Sequence, residues 1–189
     1  MLQFEKNELF VNKKKYKILK LLGHGKGGYS YLAERLENLN ESQPRYIVVK
    51  QINHEPCSYY NFGNKIEAEL RDYKRLCDAG IRIPKLFDFD KEAERIVKEY
   101  IDGVLISDSV KKGQMKEEYL IQVREMAKQA FQAGLNIDYY PTNFIVKKSE
   151  AGYEQLYYID YECNEYKDEW SFERWGIKYW RTENSKEEL

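Results

Sequence analysis

Residues 135–146 read LNIDYYPTNFIV, a stretch that combines an acidic side chain with an amide. Asp138 precedes Asn143 by five residues, and Pro141 between them excludes a regular helix. Polar side chains on a loop that leads into a strand can converge on a cleft. The stretch therefore predicts a candidate site, although Asp138 and Asn143 are also consistent with ordinary turn residues.

A second acidic position lies downstream, where the predicted strand 156–160 ends in Asp160. A carboxylate at a strand end, beside the amide oxygen of Asn143, makes a hard oxygen site suited to Mg²⁺. Asp138 would then accept a proton from an attacking hydroxyl. The alternative is that Asp160 only terminates the strand.

Upstream, the β-branched run at 46–52 contains one lysine, Lys50. A lysine in a buried strand is costly unless it is paired, so nucleotide phosphates and a helix carboxylate are its predicted partners. Glu69, on the predicted helix 64–79, is the favoured carboxylate. Glu67 lies about 200° around the helix from Glu69, so only one of the two can face a cleft. Taken alone, the run fits a surface lysine with solvated glutamates better.

Three glycines, Gly23, Gly25 and Gly28, spell G-x-G-x-x-G between the strand-like runs 16–22 and 29–34. In a dinucleotide-binding fold this motif opens a helix, so a glycine-rich hairpin suits the context better. Glycines let the backbone close over phosphates and adopt a positive φ. An ordinary hairpin turn is an equal alternative.

Periodicity along the chain predicts a mixed α+β protein. A polar loop should occupy 38–44, and a boundary should fall near Asp102–Gly103, with mainly strands before it and mainly helix and loop after it. The predicted elements are strands 16–22, 29–34 and 46–52, helix 64–79, strands 85–90 and 95–101, helix 115–133, and strands 143–146 and 156–160.

Each predicted helix has an apolar face. The inward residues should be Ile66, Leu70, Tyr73, Leu76 and Cys77 in the first helix, which Gly80 ends, and Leu120, Val123, Ala127 and Ala130 in the second. The aromatic residues of 169–180 predict one or two helical turns, broken by Gly176, that close the core. The alternative for this stretch is an acceptor or partner surface.

Composition limits the class of protein. Hydrophobic residues make up 42% of the 189 residues, enough for a packed core. The net charge of −1 argues against nucleic acid as a partner. The three cysteines form no CxxC pair, and neither a signal peptide nor a membrane span is apparent. We therefore expect a soluble cytoplasmic protein without a membrane partner.

In this order, the segments resemble the protein-kinase-like superfamily from Tyr16 to about Glu162. LLGHGKGGYSYLAE resembles its glycine-rich loop, IVVK the motif of the phosphate-binding lysine, and AELRDYKRL the helix with the paired glutamate. KEYIDG resembles the hinge, IDYYPTN the catalytic loop and IDYE the metal-binding aspartate motif. Each motif is a weak signal, and the specificity lies in their conjunction.

The resemblance implies a bilobal fold. Its N-lobe, 1–101, would be an antiparallel sheet with one helix, and its C-lobe, 102–189, would be a reduced helical lobe. It also implies an ATP- and Mg²⁺-dependent kinase. The implied roles are phosphate cover for Gly23, Gly25 and Gly28, phosphate contact for Lys50 held by Glu69, adenine contact for Glu99 and Ile101, Mg²⁺ binding for Asn143 and Asp160, and catalytic base for Asp138.

The chain departs from the family pattern at several positions. Asn136-Ile137 replaces the usual His-Arg, Tyr140 replaces a lysine, and Glu162 replaces a glycine. Only a short stretch follows Asp160, so most of the peptide-holding lobe is expected to be missing. These features resemble RIO-type and aminoglycoside-kinase-like enzymes and small bacterial kinase-like proteins. The phosphate acceptor is expected to be a protein serine/threonine hydroxyl; a small-molecule or saccharide hydroxyl and a nucleotide-binding pseudokinase are the alternatives.

Overall fold

The computed structural model describes residues 7–36, 44–54 and 63–181, and all but the last residue of the predicted polar loop lies outside these ranges. The chain is a mixed α+β protein that divides into two compact units. The first unit comprises Met1–Ala68 and Lys85–Tyr100, and the second comprises Glu69–Pro84 and Ile101–Leu189.

The first unit contains a six-stranded antiparallel sheet in the order β1-β2-β3-β4-β6-β5. Its strands are β1 Glu8–Val11, β2 Lys14–Gly25, β3 Gly28–Arg35, β4 Tyr46–Ile52, β5 Leu86–Asp90 and β6 Arg95–Glu99. The five predicted strands of this region are confirmed, with β2 longer and β6 shorter than expected, and β1 was not predicted.

The sheet curls so that its two edges meet. Asn12, between β1 and β2, donates from Nδ2 to Asp88 Oδ1 at 2.8 Å and to the Phe89 carbonyl at 2.8 Å on β5. Lys14 Nζ also reaches Asp88, at 2.7 Å. The curl removes the exposed sheet edges that would otherwise invite pairing with another chain.

One face of the sheet carries the core of this unit. That core consists of Leu9, Val11, Tyr16, Ala33, Ile47, Val49 and Val97. Because side chains alternate along a strand, Ile47 and Val49 point into this core from β4, and Val48 and Lys50 point to the opposite face.

The helix α1 spans Lys65–Asp78, close to its predicted bounds. The chain leaves the helix at Gly80, whose φ of +76° suits a glycine stop. Ile66 and Leu76 are buried as predicted, but Cys77 is exposed. The prediction for Cys77 was wrong because each helical residue is rotated by about 100° from its neighbour, which carries Cys77 away from Leu76.

The second unit combines helices with two small antiparallel sheets, β10-β9-β7 and β11-β8. Its elements are β7 Val104–Leu105, α2 Ile106–Lys111, α3 Glu117–Gln132, β8 Leu135–Ile137, β9 Phe144–Lys148, β10 Glu154–Tyr158 and β11 Cys163–Glu165. The predicted helix and the two predicted strands are confirmed as α3, β9 and β10. The prediction that Asp160 closes a strand was wrong, because β10 ends at Tyr158.

The α3 helix faces the core as its pattern predicted, with Val123 and Ala130 buried and Leu120 and Ala127 packed against them. The rest of this core comes from the strands and from the end of the chain. Among the residues that the structure describes, no helix is both long enough and apolar enough to span a membrane.

Residues 167–180, here called the tail, end the described chain in three short helical turns. These are the 3₁₀ turn Asp168–Trp170, the π turn Phe172–Gly176 and the 3₁₀ turn Ile177–Trp180. Gly176 does not break the helical path as predicted, since its φ of −69° and ψ of −44° are helical.

Candidate active site

The glycine motif forms the predicted hairpin in the first unit. Gly25 on β2 pairs with Gly28 on β3, and Lys26 and Gly27 make the turn between them. Gly28 has a φ of +143°, and a Cβ there would stand 2.1 Å from the Gln51 carbonyl oxygen. Only glycine therefore fits at this position.

The other two motif glycines have open surroundings. A Cβ added at Gly23 or Gly25 would meet no atom within 4 Å. Both residues are exposed, so the backbone of this side of the hairpin is accessible. Accessible main-chain N–H groups in such a turn can contact phosphate oxygens.

Lys50 lies on β4, directly opposite Ser30 of β3 and Ile96 of β6. Only 7% of its surface is exposed, so the alternative of a surface lysine was wrong. Ser30 follows Gly28 by two residues, so the lysine strand runs beside the base of the hairpin. The functional role of this buried lysine stays a prediction.

Sequence reasoning missed two further buried lysines, Lys98 on β6 and Lys65 in the first turn of α1, each 6% exposed. The Lys65 Nζ donates to the Asn53 carbonyl at 2.5 Å, to the Lys26 carbonyl at 3.1 Å and to Asn53 Oδ1 at 3.3 Å. The lysine thus ties the tip of the glycine hairpin to the helix. The N-terminal end of a helix carries a partial positive charge, so a lysine in the first turn is unfavourable unless other contacts hold it. This unfavourable position was the signal by which the sequence could have identified Lys65.

The glutamates differ in their surroundings. Glu67 is exposed and lies 3.3 Å from Lys91 Nζ, whereas Glu69 is half-buried. Glu99 ends β6, where its N–H donates to the Lys85 carbonyl at 2.8 Å. Glu69 belongs to the second unit, and its pairing with Lys50 stays a prediction.

Ile101, predicted to contact adenine together with Glu99, is buried in the second unit with 3% of its surface exposed. A buried side chain leaves only its main chain for contact with a base. The adenine contact of both residues stays a prediction.

In the second unit Asp138 is exposed between the buried residues Ile137 and Tyr139. Its Oδ1 accepts the Tyr140 N–H at 3.1 Å, and its carbonyl accepts Asn143 Nδ2 at 3.4 Å. The first contact is the local turn that aspartate commonly makes two residues ahead. Together the two contacts hold the Asp138 and Asn143 side chains on one compact loop.

Tyr158, fully buried at the end of β10, joins this loop to the segment that contains Asp160. Its hydroxyl accepts the Asp138 N–H at 3.4 Å and donates to the Glu162 carbonyl at 2.8 Å. The Ile159 N–H also donates to the Asn143 carbonyl at 2.9 Å. Residues 138–143 and 159–162 therefore lie side by side.

Electrostatics agree with this geometry. Burial raises the pKa of Tyr158 well above its ordinary value, and the carboxylates of Asp160, Asp138 and Glu162 raise it further. The phenol therefore stays protonated at physiological pH and keeps its role as a donor. Sequence reasoning did not identify Tyr158, which reads as one apolar position in a strand.

The oxygen atoms of Asn143 and Asp160 are the predicted ligands for Mg²⁺. Asn143 donates through Nδ2 to the protein, which directs its amide oxygen elsewhere, and Asp160 accepts the Tyr161 N–H with Oδ1 at 2.8 Å. One amide oxygen and one carboxylate are hard ligands that fit a cation sharing its other positions with phosphate and water. Across residues 7–36, 44–54 and 63–181, no group of three His, Cys, Asp or Glu side chains forms an all-protein metal site.

Seven of the predicted residues thus form two groups, each within its own unit, and Glu69, Glu99 and Ile101 belong to neither group. The hairpin glycines and Lys50 are neighbours in the first, and Asp138, Asn143 and Asp160 are neighbours in the second. Comparison of the chain with protein-family models and with curated proteins found no match.

Proposed function

We propose that this protein is an ATP- and Mg²⁺-dependent phosphotransferase with a protein-kinase-like bilobal fold. The observation that carries the proposal is that Asp138 and Asp160 both lie near the hydroxyl of Tyr158, while Asn143 is hydrogen-bonded to the Asp138 carbonyl. Oxygen-bearing side chains fixed on two adjacent segments suit a reaction that needs a proton acceptor and a hard cation.

The first unit supports the same proposal from different residues. A buried lysine, Lys50, lies beside the base of a hairpin in which Gly23 and Gly25 are exposed. Phosphoryl transfer depends mainly on positioning and on electrostatic stabilisation of phosphate oxygens, which N–H groups and an ammonium group provide.

In the proposed reaction, an acceptor oxygen forms a bond to the γ-phosphorus of ATP while the bond from that phosphorus to the bridging oxygen breaks. The hydroxyl proton of the acceptor passes to a carboxylate oxygen of Asp138. ADP leaves with the electron pair of the broken bond. Asp138 suits the proton transfer because the Tyr140 N–H fixes its carboxylate in an exposed position.

The remaining residues bind and orient. Lys50, held by Glu69, would contact the α- and β-phosphates, and main chain near Glu99 and Ile101 would contact adenine. Asn143 and Asp160 would hold Mg²⁺, which when bound neutralises charge on the phosphate oxygens.

The leading acceptor is a protein serine or threonine hydroxyl, and one observation favours a small-molecule or saccharide hydroxyl instead. Tyr140, at the position of the family's lysine, packs against Tyr179 with ring centroids 4.9 Å apart. An aromatic surface two residues from Asp138 suits stacking against a sugar or a ring better than contact with a peptide.

The test measures transfer from radiolabelled ATP, with Mg²⁺, to lysate separated into protein and metabolite fractions. Asp138→Asn should lower kcat by about 10²–10⁴-fold because it removes the proton acceptor. Its ATP affinity, measured by calorimetry, should stay within about twofold of wild type because Asp138 does not hold the nucleotide. Asp78→Asn, at an exposed carboxylate on α1, is the matched control and should retain wild-type turnover.

Three outcomes discriminate among the candidates. Label in protein or in metabolites identifies the acceptor class. ATP binding without turnover by the wild type would make the protein a nucleotide-binding pseudokinase. An Asp138→Asn variant with full turnover would remove this residue from the mechanism.

A further inference from the structure

The tail contacts the loop that carries Asp138 at three points. Asn136, Tyr139 and Tyr140 each touch it, and these residues flank Asp138 on both sides. Trp180, 1% exposed, donates from Nε1 to the Tyr139 carbonyl at 2.7 Å. The carbonyl of Tyr139, the residue after Asp138, is therefore hydrogen-bonded to a buried indole.

Aromatic rings extend this contact through the second unit. Trp180 packs edge-on against Phe172 at 5.7 Å and against Phe144 at 5.0 Å. Phe172 in turn packs on Tyr139 at 5.5 Å, and Phe144 packs on Tyr158 at 5.2 Å. These rings include Phe144, next to Asn143 in the sequence, and contact Tyr139, next to Asp138. They also contact Tyr158, whose hydroxyl donates to the Glu162 carbonyl.

Gly176 shows how closely the tail approaches the loop. A Cβ at this position would stand 2.6 Å from Tyr139 Cβ and 2.9 Å from Phe172 Cδ2. Its φ of −69° is one that any residue adopts, so the backbone conformation does not demand a glycine. The glycine is required by proximity to Tyr139.

Asn136 makes the contact on the other side of Asp138. It is 3% exposed, its Oδ1 accepts the Lys167 N–H, and its Nδ2 donates to the Trp170 carbonyl at 3.3 Å. A buried amide with donor and acceptor both used fixes the start of the tail against β8. Asn136 lies where the protein-kinase-like superfamily usually has a histidine. In this chain its amide is hydrogen-bonded to the tail.

We propose that the tail is a positioning element for Asp138 and Asn143, and that Trp180 is its principal positioning residue. The proposal rests on the proposed function for its kinetic consequence, but its structural consequence is independent. Asp138 is exposed, so its placement depends on its buried neighbours. A displacement on the order of 1 Å at a catalytic group can cost about 10²-fold in rate.

The test is Trp180→Phe in the full chain. Phenylalanine keeps a ring against Phe144 and Phe172 but removes the N–H that holds the Tyr139 carbonyl. The kcat should fall by roughly tenfold or more, while KM for ATP stays within about twofold. A merely structural role would lower the amount of folded protein and leave kcat per folded molecule unchanged.

The matched control is Tyr153→Phe, an aromatic replacement outside the tail. Tyr153 is 74% exposed in the loop between β9 and β10. Its kcat should stay within about twofold of wild type. Equal losses of kcat in both variants would overturn the special role of Trp180.

Hydrogen–deuterium exchange separates this proposal from the proposed function. In Trp180→Phe, amides of 136–146 should exchange at least about tenfold faster than in wild type, and those of α3 should not change. That result in a protein without turnover supports the positioning role and rejects the phosphotransferase. Unchanged exchange together with unchanged kcat overturns the positioning role alone.

A second variant covers the case in which Trp180→Phe does not fold. Gly176→Ala adds one methyl group against Tyr139 and leaves the indole hydrogen bond intact. It should accelerate exchange in 136–146 in the same way, by severalfold. Wild-type exchange in folded Gly176→Ala would overturn the proposal.

Discussion

The two units fasten their candidate residues in different ways. In the first unit the fastenings are polar: Lys65 ties the glycine hairpin to α1, and Asn12 ties one sheet edge to the other. In the second unit buried aromatic rings contribute most, as Trp180 and Phe172 pack near Tyr139, and the buried amide of Asn136 adds hydrogen bonds to the tail. The glycine turn and the loop with Asp138 are thus held in place by different kinds of contact.

The difference has a physical reason. Gly23 and Gly25 have no neighbour that a side chain would meet, so little packing resists displacement of the hairpin. Segments with few buried contacts open at low free energy, which would suit the phosphate cover that we propose for the hairpin. The general base that we propose at Asp138 would instead need a fixed geometry, and packed rings provide rigidity.

The largest expected effect tests whether the hairpin depends on one special backbone position. Gly28→Ala should lower the free energy of unfolding by about 2–4 kcal/mol, since its Cβ would meet the Gln51 carbonyl and its φ is strained. Urea unfolding followed by circular dichroism measures this loss.

Gly25→Ala is the matched control for that measurement. No atom lies within 4 Å of the added Cβ, so the free energy of unfolding should change by less than about 0.5 kcal/mol. Similar losses in both variants would show that the whole turn, rather than Gly28, limits the stability of the hairpin.

A smaller loss of stability is expected from replacing Lys65, whose ammonium group links the glycine hairpin to α1. Lys65→Met keeps the length of the side chain but leaves the Lys26 carbonyl without its ammonium donor, which should cost about 1–3 kcal/mol. Because the hairpin is expected to cover phosphates, KM for ATP should rise severalfold while kcat changes little. Steady-state kinetics and urea unfolding together provide the measurement.

Lys74→Met is the control on the same helix, at a side chain that is 76% exposed. Neither its stability nor its KM should differ measurably from wild type. If Lys65→Met lost stability and kept its KM, the tie would be structural and the contrast between the units would weaken.

Local sequence patterns predicted much of the first unit. The strand 46–52 was placed correctly because three β-branched residues precede Lys50, and α1, which begins in the first unit and ends in the second, because apolar spacing ends at a glycine. The hairpin followed from Gly28 and its neighbours. Each of these features is set by residues adjacent in the chain, and the period of the pattern alone reveals them.

The fastenings were not predictable in the same way. Asn136 and Trp170 are 34 positions apart, and Tyr139 and Trp180 are 41 apart, so no local pattern links them. β1 was missed because its four residues pair only with β2. The aromatic residues of the tail could be predicted to pack in the core. The residues of the Asp138 loop that they contact could not be predicted, because they are distant in the sequence.

The smallest expected effect is at the closure of the sheet. Partial burial acts to raise the pKa of Asp88, but hydrogen bonds from Lys14 and Asn12 outweigh it and hold the pKa below its ordinary value. A carboxyl with a lowered pKa stabilises the fold above its unfolded pKa of about 3.9, and this contribution is lost as the pH falls through the folded pKa. The Lys14 side chain is 56% exposed, so solvent screens the pair.

Asp88→Asn should therefore lower the free energy of unfolding by less than about 1 kcal/mol at pH 7, and the difference from wild type should be lost as the pH falls through the lowered pKa of Asp88. Urea unfolding across this pH range, at low and high salt, checks the prediction. Raised salt should shrink the effect of Asp88→Asn but leave that of Trp180→Phe unchanged, because only the former is an ionic contact. A salt-independent loss at Asp88 would mean that both units rely on packing, and the contrast between polar and aromatic fastening would fail.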